Sequence, residues 1–122
     1  MQSTDQISGY HAHVYYDAQS KPAAAQLRKA IDGDFDIEMG RWHDEPVGPH
    51  PMGSYQVAFD TTQFATLVPW LALNRGELIV FVHPLTDDII GEHTANAIWL
   101  GEQQPLNIAA LERAIASRAS AG

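Results

Sequence analysis

The 122 residues contain no cysteine. That absence excludes disulfides, zinc–thiolate centres and iron–sulfur clusters, and leaves histidine, carboxylate, tyrosine or backbone oxygen as the ligands for any metal. Positive charge is also scarce: seven Lys and Arg stand against fifteen Asp and Glu, for a net charge of −8 and a pI near 4.9. With no basic cluster the chain cannot neutralise phosphates, so nucleic acid and anionic membrane surfaces are not expected partners. No long hydrophobic run exists. The purest, Leu78 to Val82, is far too short to cross a bilayer. Met1 to Gly9 lacks the basic start and apolar stretch of a secretory leader, so a cytoplasmic location is expected. Nucleophile-elbow, P-loop, dinucleotide-fingerprint and H-E-x-x-H motifs are missing too.

What is present suffices for one core: 45% of the residues are hydrophobic, and residues 1–122 are expected to form a single domain. Tyr10–Asp17 is rich in aromatic and β-branched residues and predicts a strand whose period of two puts His11, His13 and Tyr15 on one face. Ala12, Val14 and Tyr16 go to the other. Lys21–Ile31 predicts a helix with Ala24, Leu27 and Ile31 on one stripe, Pro22 in its first turn and Gly33 as its stop. A second strand is expected over Phe35–His43, with Ile37, Met39, Arg41 and His43 in phase. Pro46, Gly48, Pro49 and Pro51 then forbid regular structure. Tyr55–Phe59 predicts a third strand, Thr62–Asn74 a helix that Pro69 should kink or restart, and Leu78–His83 a buried fourth strand. A last helix is expected over Asn107–Arg118, capped by Asn107, with a fraying tail at Ser117–Gly122.

The order β-α-β-β-α-β plus an extension is the split βαβ pattern. The expected class is therefore α+β, a ferredoxin-like antiparallel sheet with a C-terminal helical extension. Two helices cover one sheet face, and the other must be covered by the extension, a second subunit or both. A dimeric α+β barrel would enclose a pocket between the sheets.

Six histidines carry the chemical interest: His11, His13, His43, His50, His83 and His93. The H-x-H spacing on a strand lets two imidazoles reach one ion, although two polar residues on a solvated face give the same pattern. In a split βαβ sheet the end of the fourth strand lies beside the start of the first, which brings His83 towards His11 and His13; alone, His83 would read as a strand-end histidine before a proline. His50 sits in the Pro/Gly-locked loop, which suits an acid–base group, a ligand or a purely structural turn. His93 follows Glu92, and the two could supply a proton-transfer group and a carboxylate ligand, or only a solvated loop. His43 reads as structural. Trp42, Trp70, Trp99, Tyr10, Tyr15 and Tyr16 are candidates for core, interface or an aromatic pocket, and Arg41 and Arg75 for surface ion pairs or a substrate carboxylate.

Four stretches together resemble the DOPA 4,5-dioxygenase, or aromatic ring-opening dioxygenase, family: YHAHVYYD at 10–17, VGPHPMGSYQVAF at 47–59, VPWLALNRGELIVFVHPLTDD at 68–88 and EHTANAIWLGE at 92–102. They occur in the family's order and include His11, His13, His50, His83 and His93. The resemblance implies a compact α+β dimer that cleaves a catechol such as L-DOPA with O2. Such chemistry calls for an Fe(II)-type centre, with zinc or another divalent metal as alternatives in the purified protein. The expected ligands are then His11, His13 and His83, with Glu92 able to replace one of them. His50 and then His93 are the expected proton-transfer groups. The rival readings are a cofactor-free dimeric ferredoxin-like oxygenase or isomerase, and a non-catalytic module that binds a small aromatic ligand or a metal.

Overall fold

The computed structural model describes residues 1–121. Five strands, β1 (Gly9–Tyr16), β2 (Glu38–Met39), β3 (Gly53–Phe59), β4 (Ile79–Leu85) and β5 (Ile98–Leu100), form one sheet in the order β2-β3-β1-β4-β5. Every neighbouring pair is antiparallel. Helices α1 (Lys21–Asp34), α2 (Phe64–Asn74), α3 (Ile89–His93) and α4 (Ile108–Ala121) complete the fold. No helix among the described residues is long and apolar enough to cross a membrane.

The period-two reading of β1 holds. Ala12, Val14 and Tyr16 join Tyr55, Val57 and Phe59 of β3 and Val80 and Val82 of β4 in one buried cluster with Ala24, Leu27 and Ile31 of α1 and Leu67, Val68 and Leu71 of α2. That face is apolar and dry. The Tyr55 hydroxyl donates to the Ala24 carbonyl at 2.8 Å and so ties the sheet to α1. The opposite face carries His11, His13 and Tyr15.

The second strand is shorter than its sequence suggests, because it contains a bulge. Glu38 pairs with Ala58 and Met39 with Val57, but from there to the isolated bridge His43–Ser54 this strand advances four residues while β3 advances three. One extra residue therefore lies on this strand between Met39 and His43. It breaks the expected phase: Ile37 and Met39 pack against the core, but the next residue to do so is Trp42 rather than Arg41 or His43. Gly40 occupies the irregular segment, where an added Cβ would sit 3.2 Å from the Gln56 carbonyl oxygen.

Two further elements are too short to show a period: α3 spans one and a half turns and β5 three residues. At the other helix, Thr61–Gln63 form a 3₁₀ turn capped by Asp60, and α2 then runs unbroken through Pro69. Pro69 is on the exposed side, where the carbonyl it leaves unpaired can be hydrated. Asn107 caps α4 as expected, its side-chain oxygen accepting from Ala110 N–H at 3.0 Å. The helix continues through Ala121, past the expected end at Arg118; Gly122 of the expected fraying tail lies outside the described residues.

Leu67 is fully buried, whereas Leu73 on the same helix is 85% exposed. Leu67→Ala should therefore lower stability by about 2–5 kcal/mol, and Leu73→Ala by no more than about 0.5 kcal/mol. Urea unfolding midpoints at constant m-value check both.

Candidate metal centre and cavity

Register places the histidines. In the β1–β4 ladder His11 is directly opposite His83, and His13 is opposite Phe81. All four side chains then project from the face away from α1 and α2. His13 and His83 are buried, at 4% and 2% exposure, and His11 is half-buried. Their ligand nitrogens lie within 4.8 Å of one another. The two Nε2 atoms of His13 and His83 are 3.1 Å apart.

Hydrogen bonds fix which nitrogens have free lone pairs. The Nδ1–H of His83 donates to the Pro84 carbonyl at 3.0 Å, leaving its Nε2 bare and facing His13. The Nδ1–H of His93 donates to the Ile89 carbonyl at 2.8 Å, leaving its Nε2 bare as well. Glu92, only 3% exposed, accepts from Thr86 N–H at 2.6 Å and from the Thr86 hydroxyl at 3.2 Å through one oxygen. Its other oxygen is 3.7 Å from His83 Nδ1. Glu92 also groups with His83 and His93 as a potential ligand set. It approaches His83, however, from the ring edge that carries the N–H, opposite the edge shared with His13. That is the outer-carboxylate position behind a ligating imidazole.

The electrostatics favour neutral rings. Burial first, then repulsion from neighbouring imidazoles, lowers His13 well below its ordinary value and lowers His11 as well. Burial pushes His50 down to about 4 and His83 down to about 3, helped by the charge of His93. Three neutral imidazoles converging in a buried, cysteine-free site form a nitrogen donor set. Such a set suits a divalent transition metal and not Ca²⁺ or Mg²⁺, which take oxygen ligands. Two nitrogens each about 2.1 Å from a shared ion at roughly a right angle would stand about 3 Å apart, and the His13–His83 separation is of that size. The residues fit a metal.

A cavity of about 380 Å³ opens beside this cluster. Its floor is His11, His13 and His83. His50 and His93 form its sides, and Leu111, Ala114, Ile115 and Arg118 of α4 its roof. The C-terminal extension thus covers part of the sheet's second face. His50 is held by a tight turn: Gly48 adopts φ +55°, and His50 N–H donates to the Val47 carbonyl at 3.0 Å. Asn107 N–H donates to the Pro49 carbonyl at 2.8 Å, which pins this loop to the start of α4. The His50 ring lies against His13, with centroids 4.2 Å apart, and its Nδ1 meets the Tyr15 hydroxyl at 2.8 Å.

Five of the six histidines therefore converge. His43 stands apart, pairing through its backbone with Ser54. Of the aromatic candidates, Tyr16, Trp42 and Trp70 belong to or pack on the apolar core, and Tyr10 stacks on Phe59. Trp99 stacks on Phe81, centroids 4.5 Å apart, on the histidine face. Neither Arg41 nor Arg75 lines the cavity; Arg75 donates to the Leu78 carbonyl instead. The arginine that does, Arg118, has no sequence signal beyond its place on an amphipathic helix.

The lowered histidines make stability depend on pH. In an unfolded chain these rings titrate near 6.5, whereas in the fold His50 and His83 resist protonation until about 4 and 3. Below pH 6.5 the unfolded state takes up protons that the folded state refuses, so stability falls with pH until those lower values are reached. Metal-stripped protein should be less stable at about pH 5 than at about pH 7.5 by on the order of 1–3 kcal/mol. Chemical unfolding across that range checks it; a flat profile would contradict it.

The pattern of the Dopa 4,5-dioxygenase family matches residues 10–110. The DOPA 4,5-dioxygenase of Amanita muscaria is 36% identical over 115 residues, covering 87% of this chain and 50% of that protein. A Botryotinia fuckeliana protein described only as an uncharacterized 21.2 kDa protein is 37% identical over 116 residues, covering 85% of this chain and 63% of that one. The chain thus spans about half to under two thirds of the length of these relatives. A crystal structure from Nostoc punctiforme PCC 73102, described provisionally as a dioxygenase, is 47% identical with a TM-score of 0.91 and covers 93% of this chain and 98% of that one. The chain belongs to the Dopa 4,5-dioxygenase family.

Proposed function

We propose that this protein is a metal-dependent extradiol dioxygenase that opens the ring of a catechol such as L-DOPA, with O2 as co-substrate. The observation that carries the reading is the convergent trio His11, His13 and His83 at the floor of a cavity with two further histidines in its walls. A scaffold has little use for such a cluster, since each neutral imidazole there displaces apolar packing. Family membership supports the reading, and the name of the Amanita muscaria relative supplies the substrate class.

His11, His13 and His83 would hold the ion, with Fe(II) as the metal suited to the reaction. Glu92 would stand behind His83 and set its orientation rather than bind directly. When bound, the metal supplies neighbouring positions for catecholate and dioxygen and the path for electrons between them. The chain's own residues do the rest. Phe81 and Trp99, stacked on one another, stiffen the face beneath the imidazoles. Leu111, Ala114 and Ile115 exclude water above the ring. His93, with its Nε2 lone pair free, can take a hydroxyl proton from the catechol. His50 stands on the facing wall of the same cavity. We read the scaffold as ferredoxin-like and the assembly as a dimeric α+β barrel, in which a second subunit would close what α4 leaves open.

Anaerobically purified protein should contain about one iron per subunit, by the stoichiometry of a single three-histidine site, and should consume O2 with catechols to give a yellow ring-opened product. His13→Gln should lose both metal and turnover. His50→Ala should keep the metal and lower kcat by about 10²–10⁴-fold. Loss of metal in His50→Ala would exchange the roles of these two residues. Metal-free protein that stays inactive after Fe(II) reconstitution would refute the extradiol reading.

A further inference from the structure

We infer that Tyr15 is a positioning residue that locks His50 in the Nε2–H tautomer, so that His50 faces the cavity as a hydrogen donor and not as a base. The inference rests on the proposed catalytic role of the cavity, but its core is a statement about one hydrogen bond.

Tyr15 is 1% exposed and its hydroxyl is 2.8 Å from His50 Nδ1. A contact between a tyrosine hydroxyl and an imidazole nitrogen can run either way, and the surroundings decide. The hydroxyl has one proton that must find an acceptor once buried. Among the described residues, His50 Nδ1 is the one hydrogen-bond partner of that oxygen. The O–H therefore donates to His50 Nδ1. An imidazole that accepts at Nδ1 is not imidazolium, which carries a proton on both nitrogens. A neutral imidazole whose Nδ1 accepts must carry its own proton on Nε2.

The same logic gives the opposite outcome for His93, where a backbone carbonyl, which can only accept, takes the Nδ1 proton and frees Nε2. Two histidines on the walls of one cavity are thus wired as a complementary pair, one by a hydroxyl donor and one by a carbonyl acceptor. His93 Nε2 takes the proton that a catechol hydroxyl gives up, becoming imidazolium. His50 Nε2–H offers a hydrogen bond to the oxygen that becomes negative, and no bond within His50 is made or broken. Tyr15 never touches substrate; it acts through His50. Its position two residues after His13 on β1 puts the tautomer lock on the same strand as the imidazole cluster.

The test is long-range proton–nitrogen NMR of the histidine rings in the full chain, labelled with ¹⁵N-histidine, both metal-free and loaded with diamagnetic Zn(II). His50→Gln assigns the His50 signals. The expected result is an unprotonated Nδ1 and a protonated Nε2 on His50 in the wild type, and a mixture of tautomers in Tyr15→Phe. The Fe(II)-loaded Tyr15→Phe enzyme should keep its metal and its KM within about twofold and lose about tenfold in kcat, as expected for a group that orients a hydrogen-bond donor towards developing negative charge. A protonated Nδ1 on wild-type His50, or an unchanged tautomer in Tyr15→Phe, overturns the inference. The wild-type spectrum decides even if the variant folds poorly. The expected tautomer in a protein that turns over no catechol would uphold the Tyr15 assignment and refute the ring-opening function.

Discussion

The antiparallel register between β1 and β4 is the constraint on which the rest depends. Pairing His11 with His83 across the ladder is a backbone matter, set by hydrogen bonds that know nothing of metal or substrate. It nevertheless brings together residues 72 positions apart in sequence. A slip of one residue in this ladder would send the imidazoles of one strand into the apolar cluster and its valines to the open face. The apolar side of the sheet prevents such a slip. Ala12, Val14, Val80 and Val82 are fully buried between the sheet and α1 and α2, and exposing them would forfeit the core. The apolar face therefore holds the histidine face in register.

The cost of the second face is electrostatic. His11, His13, His50 and His83 are all lowered by burial, with mutual repulsion adding to it. In an acidic chain one would expect carboxylates to hold histidines protonated. Here the buried carboxylate, Glu92, is instead occupied by the backbone and hydroxyl of Thr86. The cluster is thus kept as lone-pair donors. Binding a cation there costs no proton release from these rings near neutral pH, whereas in acid metal and protons compete for the same nitrogens. The physics that weakens the folded chain in acid is also what prepares the site for a metal.

Much of this was legible in the sequence, and the parts that were not have identifiable reasons. Strict alternation in Tyr10–Tyr16 named the face of every residue in β1. The hydrophobic run ending at His83, with the β-α-β-β-α-β order, placed that histidine beside His11. The second strand was misread because a bulge leaves no mark on a period of two until the partner's register is known; Arg41 and His43 kept the pattern while Trp42 took the inward position. α3 and β5 are shorter than any period that could reveal them. The Tyr15–His50 contact joins residues 35 apart, through a loop whose Pro/Gly content announces rigidity but not direction. Arg118 reaches the cavity only because α4 docks across the sheet, a tertiary fact with no local signature.

That docking explains how the cavity combines a fixed floor with an independent roof. The floor is written in β1 and β4, which hold His11, His13 and His83 by register. The roof is written in α4, whose Leu111, Ala114, Ile115 and Arg118 line the cavity and take part in no ladder. One residue couples the two. Asn107 caps α4 with its side chain and donates its backbone N–H to Pro49, one residue before His50. The start of the roof and the loop carrying His50 thus share an anchor. A change in how α4 sits would be felt at His50 before it was felt at His13 or His83, which the sheet holds. Cavity shape and the placement of His50 are therefore mechanically linked, while the sheet holds the histidine trio apart from both.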